Sequence, residues 1–511
     1  MFLMAANTLL TFRVVILAKQ TLTHSIASNS SMFPLVYEIN TRIWLKKLSE
    51  VHNRPVTLGN IPDEEFTIFS TCGFDMVWLM GVWKPSKYSK AIATSHPGLR
   101  KAFLHNNPTI VPDDIVSSPY SIPSYTVSEL LGGEGELLVF REKLRALGIK
   151  LMLDFVPNHL SLDNEWLPDH PEYFMPICNA EQCQDPGAAF EYAQGEYLAY
   201  GKDPYFDPWT DVLQLNYAAP ETHEMMTENL FRISSLCDAV RCDVAMLILK
   251  SVFNTTWSNL GGSMENEFWH NAITAVKLRH PDFLFLAESY WDKEWELQQQ
   301  GFDFTYDKPF YDYICSAPVN IEKLRGHLLA DQDYQKHLCR FLENHDEPRA
   351  AGKIGLNNKV AAMVLLTVPG MHLVHQDQIE GFRQQIPVQL LKQTQEPVDS
   401  ELVKLYNTLF SLQKQEVFQE GRIEWLDLNA ANNSHCFGFQ RFTAHENAVV
   451  LANFSPTGIV IEFSHPWSEH LPVKSINVFS TTDQNRSSEI EYTGKMMKVH
   501  LYPHEGIVIT C

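Results

Sequence analysis

The sequence predicts an α/β fold, a (β/α)8 TIM barrel with an inserted loop subdomain after strand 3 and a C-terminal antiparallel β-sandwich domain. Two observations predict the barrel. Short apolar runs alternate with longer amphipathic stretches, and each run has the character of a fully buried strand in a parallel sheet. Eight such runs within about 340 residues favour a closed barrel, because an open sheet would need a reversal of strand order.

Eight strand candidates follow one another along the chain. In chain order they are VYEINTRIWL (36–45), FDMVWLMGVW (74–83), GIKLMLDFVPNH (148–159), LCDAVRCD (236–243), DFLFLAE (282–288), GFDFTYD (301–307), LCRFLENHD (338–346) and MHLVHQ (371–376). Polar side chains gather at or just beyond the C-terminal ends of these runs, the face on which barrel active sites are built. They are Asp154, Asn158, His159, Asp243, Glu288, His345 and Asp346.

Changes in pattern divide the chain. Residues 1–31 are interpreted as an N-terminal extension or a degenerate signal, because Arg13 interrupts an apolar run that is too short to span a bilayer. Residues 32–400 form the predicted barrel. Within them about 160–220 is rich in Pro, Asp and aromatic residues, which is typical of a loop subdomain over a barrel mouth. Residues 401–511 begin with an amphipathic helix and continue as alternating strands.

The balance of charge excludes several classes of partner. The formal net charge is −21, and such an excess of carboxylates repels phosphate backbones and anionic membrane surfaces. We therefore expect no nucleic acid and no membrane as partner, and a neutral substrate fits better. The sequence leaves the oligomeric state open.

The cysteines indicate a reducing compartment. Nine are spread through the chain without the CxxC spacing of a zinc site. We interpret most of them as buried thiols of a cytoplasmic protein, although Cys178 and Cys183 could form a bridge within a loop. Export would follow instead if residues 1–31 act as a signal.

The segment DAVRCD (238–243) places two opposite charges at the end of an apolar run. Alternate residues of a strand point to the same face, so Arg241 and Asp243 are expected side by side. Taken alone, the pair fits a structural ion pair as well as an active-site pair. Its neighbours along the chain favour the second interpretation.

Four motifs, in order and each at a strand end, resemble those of the α-amylase family of retaining glycoside hydrolases and transglycosidases. They are DFVPNH (154–159), DAVRCDVAM (238–246), FLAES (285–289) and ENHDEPR (343–349). SPYSIPSYTV (118–127) resembles the stretch that supplies a sugar-stacking tyrosine, and QLNY (214–217) a short motif after the inserted subdomain. The resemblance runs over roughly residues 36–385 and implies a barrel enzyme acting on α-glucosidic bonds.

The resemblance assigns the catalytic carboxyl groups. Asp243 takes the place of the nucleophile, Glu288 that of the acid/base and Asp346 that of a third carboxylate that binds ring hydroxyls. Retention requires a nucleophile and a proton donor about 5 to 5.5 Å apart. We expect Arg241 to keep Asp243 ionised, whereas Glu288 needs a raised pKa to carry its proton.

Other roles also rest on the resemblance. His159 and His345 take the places of two sugar-binding histidines, and Tyr120 that of the ring that stacks on a sugar face. Asp154 and Asn158 are expected to organise the loop around His159, with Asn158 a candidate calcium ligand. No cofactor is expected for the chemistry, and calcium would be structural.

Two departures from the family pattern bear on the substrate. Met246 and Leu247 stand where many starch-degrading members carry a Lys and a His that contact the leaving-group sugars, and Ser124 stands where an Asp is usual. Either the leaving group is recognised by other residues or the substrate is not long starch. Met246 and Leu247 could also simply pack beneath the loop that follows the fourth strand.

Three functions remain open from the sequence. The first is hydrolysis of α-glucans or oligosaccharides through a covalent glycosyl-enzyme intermediate. The second passes the same intermediate to another sugar, as glucanotransferases and sucrose- or trehalose-acting relatives do. The third is a non-catalytic amylase-like binding subunit, which the complete carboxylate set disfavours.

Overall fold

The computed structural model describes residues 32–177, 187–429, 435–464, 477–482, 490–493 and 495–510. Its strands are β1 (Leu35–Asn40), β2 (Met76–Met80), β3 (Lys150–Phe155), β4 (His159–Ser161), β5 (Ala189–Ala193), β6 (Glu196–Gly201), β7 (Trp209–Gln214), β8 (Ala239–Cys242), β9 (Leu284–Ala287), β10 (Phe304–Tyr306), β11 (Leu338–Arg340), β12 (Met371–His375), β13 (Arg422–Trp425), β14 (Cys436–Phe442), β15 (Asn447–Asn453), β16 (Ile459–Ser464), β17 (Asn477–Ser480), β18 (Ile490–Thr493), β19 (Met496–Leu501) and β20 (Gly506–Thr510).

The α-helices connect the barrel strands and cover the barrel. Their bounds are Thr41–His52, Asp63–Thr71, Lys87–Ser95, Pro97–Asn106, Gly133–Ala146, Pro220–Leu236, Lys250–Trp257, Phe268–Arg279, Glu294–Gln299, Lys308–Ile314, Ile321–Leu328, Gln332–Lys336, Ala350–Lys353, Asn358–Thr367, Ser400–Gln413 and Glu416–Gln419. Within the described ranges, no helix combines the length and the apolar character needed to cross a membrane.

Eight parallel strands close into a barrel in the order β1-β12-β11-β10-β9-β8-β3-β2. Each of the eight predicted strands is confirmed. Their side chains are almost all buried on both faces, because helices cover the outside and the interior is filled. The predicted (β/α)8 TIM barrel is therefore confirmed, and so is the predicted C-terminal sandwich, which is described below.

The first strand is shorter than predicted. We expected it to run to Leu45, but the helix begins at Thr41. Asn40 ends the strand because its side-chain oxygen accepts a hydrogen bond from the Ile43 amide, which caps the helix. The apolar residues Ile43 to Leu45 lie buried on the inner face of this helix.

The insertion after the third strand is a four-stranded antiparallel sheet in the order β4-β7-β6-β5. It leaves the barrel directly beyond β3, and the pairing of His159 with Gln214 holds its first and last strands together. This arrangement places the sheet at the C-terminal end of the barrel. Cys178 and Cys183 lie outside the described residues, as do residues 1–31.

The C-terminal region forms two antiparallel sheets, β13-β14-β15-β20-β17 and β16-β19-β18. An apolar cluster fills the space between them and includes Leu451, Ile461, Phe463, Met497 and Ile507. The packing of two sheets on a shared apolar layer is that of a sandwich.

The helix Ser400–Gln413 belongs to the barrel by its contacts. It packs against the helix Asn358–Thr367, and its buried Tyr406 hydroxyl accepts a hydrogen bond of 2.8 Å from Gln378. It therefore completes the last strand–helix unit before the chain enters the sandwich. The residue boundaries given above for the domains stay predictions.

Candidate active site

The barrel register places two carboxylates next to each other. Cys242 at the end of β8 pairs with Ala287 at the end of β9. The following residues, Asp243 and Glu288, therefore emerge side by side at the C-terminal face. The Asp243 amide still bonds to the Phe155 carbonyl of β3 at 2.8 Å, so the nucleophile candidate is held by the barrel itself.

Arg241 lies at the centre of the site, and its guanidinium is fully buried. Its Nη1 atom donates to Asp243 Oδ1 at 2.7 Å, and its Nη2 atom lies 2.7 Å from Glu288 Oε2. Both carboxyl groups therefore lie within ion-pair distance of one guanidinium. Three aromatic rings approach the guanidinium to between 5.1 and 5.6 Å, those of Trp78, Tyr120 and Tyr306.

The pKa of Asp243 does not follow the expectation in full. Burial raises the pKa of this carboxyl, and the positive charge of Arg241 and its hydrogen bond oppose the rise without cancelling it. Arg241 does favour the ionised form, as expected from the sequence. It cannot by itself assign opposite roles, however, because it also contacts Glu288.

Glu288 has the environment of a proton donor. Burial raises its pKa to about 7, the charge of Arg241 opposes this and the charge of Asp243 reinforces it. The Tyr290 hydroxyl donates to Glu288 Oε1 at 2.8 Å, and the Val244 amide donates to Oε2 at 2.5 Å. Val244 adopts φ of 38°, a left-handed conformation that is rare for a β-branched residue and aims this amide at Glu288.

The third carboxylate belongs to a chain of contacts through His345. Asp346 Oδ2 lies 3.0 Å from His345 Nε2, and the opposite ring nitrogen lies 2.5 Å from Glu38 Oε1. Burial lowers the pKa of His345, but the charges of Asp346 and Glu38 outweigh it and raise that pKa well above its usual value. The imidazolium in turn lowers the pKa of Asp346 against the effect of burial, so Asp346 is held ionised with 47% of its side chain exposed.

The two remaining sugar-binding candidates lie at the same mouth. The Tyr120 ring stacks on His345 with centroids 5.2 Å apart, and its hydroxyl lies 2.7 Å from His345 Nε2. His159 Nε2 lies 3.9 Å from Asp243 Oδ2, and burial lowers the pKa of His159 to about 4. His159 is therefore neutral near pH 7, and its ring meets Trp209 of the inserted sheet edge-on at 5.2 Å.

Asp154 supports the site from beneath. Its carboxylate accepts hydrogen bonds of 3.2 Å from the Trp78 indole and from the Gly81 amide, and it lies 3.9 Å from Arg241 Nη1. Burial raises the pKa of Asp154 to about 7, against the charge of Arg241. These contacts join Asp154 to β2 and to Arg241, and the role expected for it in organising the loop around His159 stays a prediction.

Asn158 is the residue at which a calcium ion was expected, and calcium takes six to eight oxygen ligands. The Gln214 side-chain amide donates to the Asn158 carbonyl and to Asn158 Oδ1, both at 3.0 Å, and to the Leu215 carbonyl at 3.2 Å. Three oxygens thus converge on a nitrogen donor. Within the described residues, no group of three or more His, Cys, Asp or Glu side chains has the arrangement of a metal site. The donor set at Asn158 therefore does not fit calcium.

Met246 and Leu247 are buried in the main core, with 1% and 3% of their surface exposed. They belong to a short 3-10 helix, Ala245–Ile248, whose Ala245 carbonyl accepts a hydrogen bond of 2.9 Å from the Trp269 indole. Of the alternatives considered for these two residues, packing beneath the loop after the fourth barrel strand is the one that agrees with the structure.

Two contacts of the site were not predicted from the sequence. Glu38 is fully buried in β1 and binds His345, and Tyr290 donates to Glu288. A signal for Glu38 was present, because a carboxylate in the middle of an apolar strand requires a buried partner. Nothing near Glu38 in the sequence identifies that partner, which lies 307 positions away.

Solved structures with the same fold align with most of the chain. A noncanonic maltogenic alpha-amylase from Thermotoga neapolitana aligns over 94% of this chain and 98% of its own, with 19% identity and a TM-score of 0.67. An alpha-amylase from Geobacillus thermoleovorans, solved in complex with acarbose, aligns over 95% and 99%, with 16% identity and a TM-score of 0.67.

Sequence comparisons extend this to the family. An alpha-1,4-glucan:maltose-1-phosphate maltosyltransferase from Bifidobacterium longum is 23% identical over 223 residues, which are 43% of this chain and only 24% of that curated relative. The family model described as the alpha amylase catalytic domain matches residues 72–408, well over half of the chain. The fold, the ordered motifs and this match together show that the chain belongs to the alpha-amylase family of glycoside hydrolases.

Proposed function

We propose that the protein is a retaining α-glycosidase that cleaves α-glucosidic bonds of α-glucans or oligosaccharides through a covalent glycosyl-enzyme intermediate. The observation that carries the proposal is the pair of buried carboxylates, Asp243 and Glu288, on the two ends of one guanidinium. A retaining mechanism requires two carboxyl groups that lie close together and differ in protonation.

The steps follow from the surroundings of each group. Asp243 attacks the anomeric carbon of the sugar while Glu288, whose pKa is about 7, gives its proton to the glycosidic oxygen of the leaving sugar. Glu288 then removes a proton from water as the water attacks the same carbon and breaks the ester to Asp243. Asp346 is held ionised by His345 and is placed to bind ring hydroxyls of the reacting sugar.

A second function uses the same intermediate. If a sugar hydroxyl replaces water in the second step, the enzyme is a transglycosidase. The sequence similarity to the maltosyltransferase of Bifidobacterium longum supports this candidate, whereas the structural similarity to a cyclomaltodextrinase supports hydrolysis. Both candidates predict retention of configuration.

The first test follows the anomeric configuration and the length of the early products. The purified protein is incubated with maltoheptaose, maltose, sucrose and trehalose, and early products are resolved by proton NMR and chromatography. We expect the α-anomer first, because two inversions at one carbon restore its configuration. An initial β-anomer would overturn the covalent mechanism, products longer than the substrate would identify transfer, and no turnover of any substrate would contradict both.

A matched pair of variants tests the role of Asp243. Asp243→Asn should lower kcat at least about a thousandfold with little change in thermal stability, because an amide cannot form the glycosyl ester. Asp282→Asn makes the same chemical change at an exposed position before β9 and should keep parental activity. Activity of Asp243→Asn within about tenfold of the parent would remove Asp243 as the nucleophile.

A further inference from the structure

Two long connections of the barrel, those that follow β2 and β12, meet across one side of the active site. In the closed barrel β1 lies opposite β9, and its neighbours are β2 and β12. The sugar that leaves lies beside the proton donor Glu288, which follows β9. Tyr120 and Asp346, the groups proposed to hold the reacting glucose unit, follow β2 and β11. Further units on the non-reducing side of that glucose would therefore extend toward β1 and its two neighbours.

The two connections are joined by backbone pairing. Ile115, in the connection after β2, forms an antiparallel bridge with Leu390, in the connection after β12. The Val116 amide donates to the Gln389 carbonyl at 2.8 Å. Pairing of this kind fixes the register of two segments as in a sheet. These segments, residues 106–116 and 384–391, together form the loop wall.

An apolar cluster of its own supports the loop wall. Its buried members are Ala93, Phe103, Ile115 and Leu390, and three partly buried aliphatic side chains pack against them. The cluster combines side chains from both connections and is separate from the main core. Because these side chains would be exposed to water if the segments moved apart, their burial holds the wall closed.

The loop wall reaches the reacting groups. The Gln385 side-chain amide donates to the Asp346 carbonyl at 2.7 Å. Gln385 is held from the other connection, because its carbonyl accepts a hydrogen bond from the Asn106 side chain. The Gln384 side-chain amide donates in return to the Asn106 carbonyl. The wall therefore stands directly against the carboxylate that is proposed to bind ring hydroxyls.

Little space remains behind the loop wall. Between the wall and the barrel lies a cavity of about 10 Å³, whose lining includes Asn40, His345 and Gln385. A volume of this size holds about one water molecule, and a glucose unit is many times larger. Among the described residues, the side of the site next to β1 thus has no room for a second sugar unit.

We propose that the loop wall makes the enzyme exo-acting, so that it takes one glucose unit at a time from the non-reducing end of a chain. This inference rests on the proposed function and names its substrate class: α-glucosides whose terminal glucose is free. An interior unit of a glucan carries sugar on both sides, and the wall excludes the sugar on the non-reducing side by steric conflict. Hydrolysis would release the single unit, and transfer would pass the same single unit to an acceptor.

The test compares two forms of maltoheptaose that carry a fluorescent label at the reducing end. In one form the terminal glucose at the non-reducing end is free, and in the other its hydroxyls are closed as an ethylidene acetal. We expect the parent to change the free form by one unit at a time, with labelled maltohexaose as the first shortened product. The blocked form should be cleaved at least about a hundredfold more slowly.

A matched pair of variants tests the loop wall itself. Leu390→Asp places a carboxylate in the apolar cluster and should part the two segments. We expect the ratio of kcat/KM for the blocked form to kcat/KM for the free form to rise at least about tenfold. Leu278→Asp makes the same change at a side chain that is 80% exposed, and it should keep the parental ratio.

The outcomes separate this inference from the proposed function. No turnover of labelled maltoheptaose, maltose, sucrose or trehalose by the parent would contradict the proposed function. A parent that cleaves both labelled forms at similar rates, releases maltose first, or turns over only the disaccharides would overturn the inference and leave the proposed function standing. A folded Leu390→Asp with the parental ratio, or an equal rise in Leu278→Asp, would overturn the role of the loop wall. If Leu390→Asp does not fold, the comparison of the two labelled forms with the parent still decides.

Discussion

Asp243 and Glu288 follow neighbouring strands in matching register, yet their surroundings differ. Arg241 contacts both carboxyl groups, but Glu288 also receives hydrogen bonds from a tyrosine hydroxyl and a strained amide. Burial acts on both groups in the same direction. The different roles that we propose for the two groups therefore depend on how each charge is balanced by its neighbours rather than on residue type alone.

The pKa of Glu288 predicts the pH dependence of activity. A proton donor works only while it is protonated, so kcat/KM for maltotriose should fall as the pH rises through about 7. The same decline should be weak for α-glucosyl fluoride, because fluoride leaves without protonation. Measuring both profiles from about pH 5 to about pH 9 checks the assignment, and identical declines for the two substrates would argue against Glu288 as the acid.

The pair of Glu38 and His345 predicts a loss of stability. Both side chains are buried, so Glu38→Gln would leave a buried imidazolium with only the half-exposed Asp346 as partner. We expect the free energy of unfolding to fall by about 3 kcal/mol or more. The matched control is Glu401→Gln, whose exposed salt bridge with Lys404 should contribute little, because solvent screens it.

Chemical denaturation of the two variants measures the difference. Equal midpoints for Glu38→Gln and Glu401→Gln would contradict the role given to the buried pair.

Among single residues, Asp243, Glu288 and Arg241 could be predicted from sequence because short motifs at strand ends carry their chemistry. Glu38 could not, because its contact is made only when the first and seventh strands of the barrel come together.

At the scale of single elements, the placement of the 3-10 helix Ala245–Ile248 could not be predicted from its sequence pattern. An apolar run after a strand fits a cleft wall and a buried turn equally well, and only packing decides between them. Because Met246 and Leu247 are in the core, the variant Met246→Lys/Leu247→His should lower the free energy of unfolding by about 3 kcal/mol or more. Thermal unfolding of this variant checks the expectation, and an unchanged melting temperature with a steeper dependence of kcat/KM on chain length would contradict it.

The inserted sheet is joined to the barrel through Gln214 at the end of β7. Its side-chain amide donates hydrogen bonds to three oxygens, the Asn158 carbonyl, Asn158 Oδ1 and the Leu215 carbonyl. We therefore expect a chelator to leave the melting temperature of the parent unchanged. Gln214→Glu replaces the donor by a carboxylate and should be destabilised without calcium, because a carboxylate would then lie unpaired among oxygens.

Differential scanning calorimetry with and without calcium measures this response. Millimolar calcium should raise the melting temperature of Gln214→Glu by several degrees, because an ion about a hundredfold above its dissociation constant adds about 2.7 kcal/mol to the free energy of unfolding. The isosteric control, Gln214→Met, should show no response to calcium. A parent that loses stability when a chelator is added would overturn this interpretation of Asn158.

The whole molecule combines the barrel with the sandwich, and the sequence predicted the two parts unequally. Eight buried runs define the barrel because each follows the same strand–helix unit, so their number and order suffice. The alternation in β14 and β15 predicted strands but not where their sheet would attach. That contact includes Arg441 of β14, a buried charge whose hydrogen-bond partners lie outside its own strand.

Arg441 joins the sandwich to the barrel. Its guanidinium donates to the Thr367 carbonyl at 2.7 Å, at the end of a barrel helix, and to the Phe418 and Gly421 carbonyls at 3.0 and 2.8 Å. Arg441→Leu would leave these three carbonyl oxygens unpaired in a buried interface, at a cost of about 1 to 3 kcal/mol for each one that water cannot reach. We expect a single unfolding transition at a lower temperature, because the two parts share this interface and unfold together.

Arg441 lies far from the catalytic face, so its loss should lower stability without changing activity. At temperatures below its transition, Arg441→Leu should keep the parental kcat/KM, since no residue of the site contacts its guanidinium partners. Arg422→Leu is the matched control, because Arg422 is exposed on the adjacent strand and its loss should change the free energy of unfolding by less than about 0.5 kcal/mol. Two separate transitions in the parent would show that sandwich and barrel unfold independently, and a melting temperature equal to that of Arg422→Leu would remove Arg441 as the joint between them.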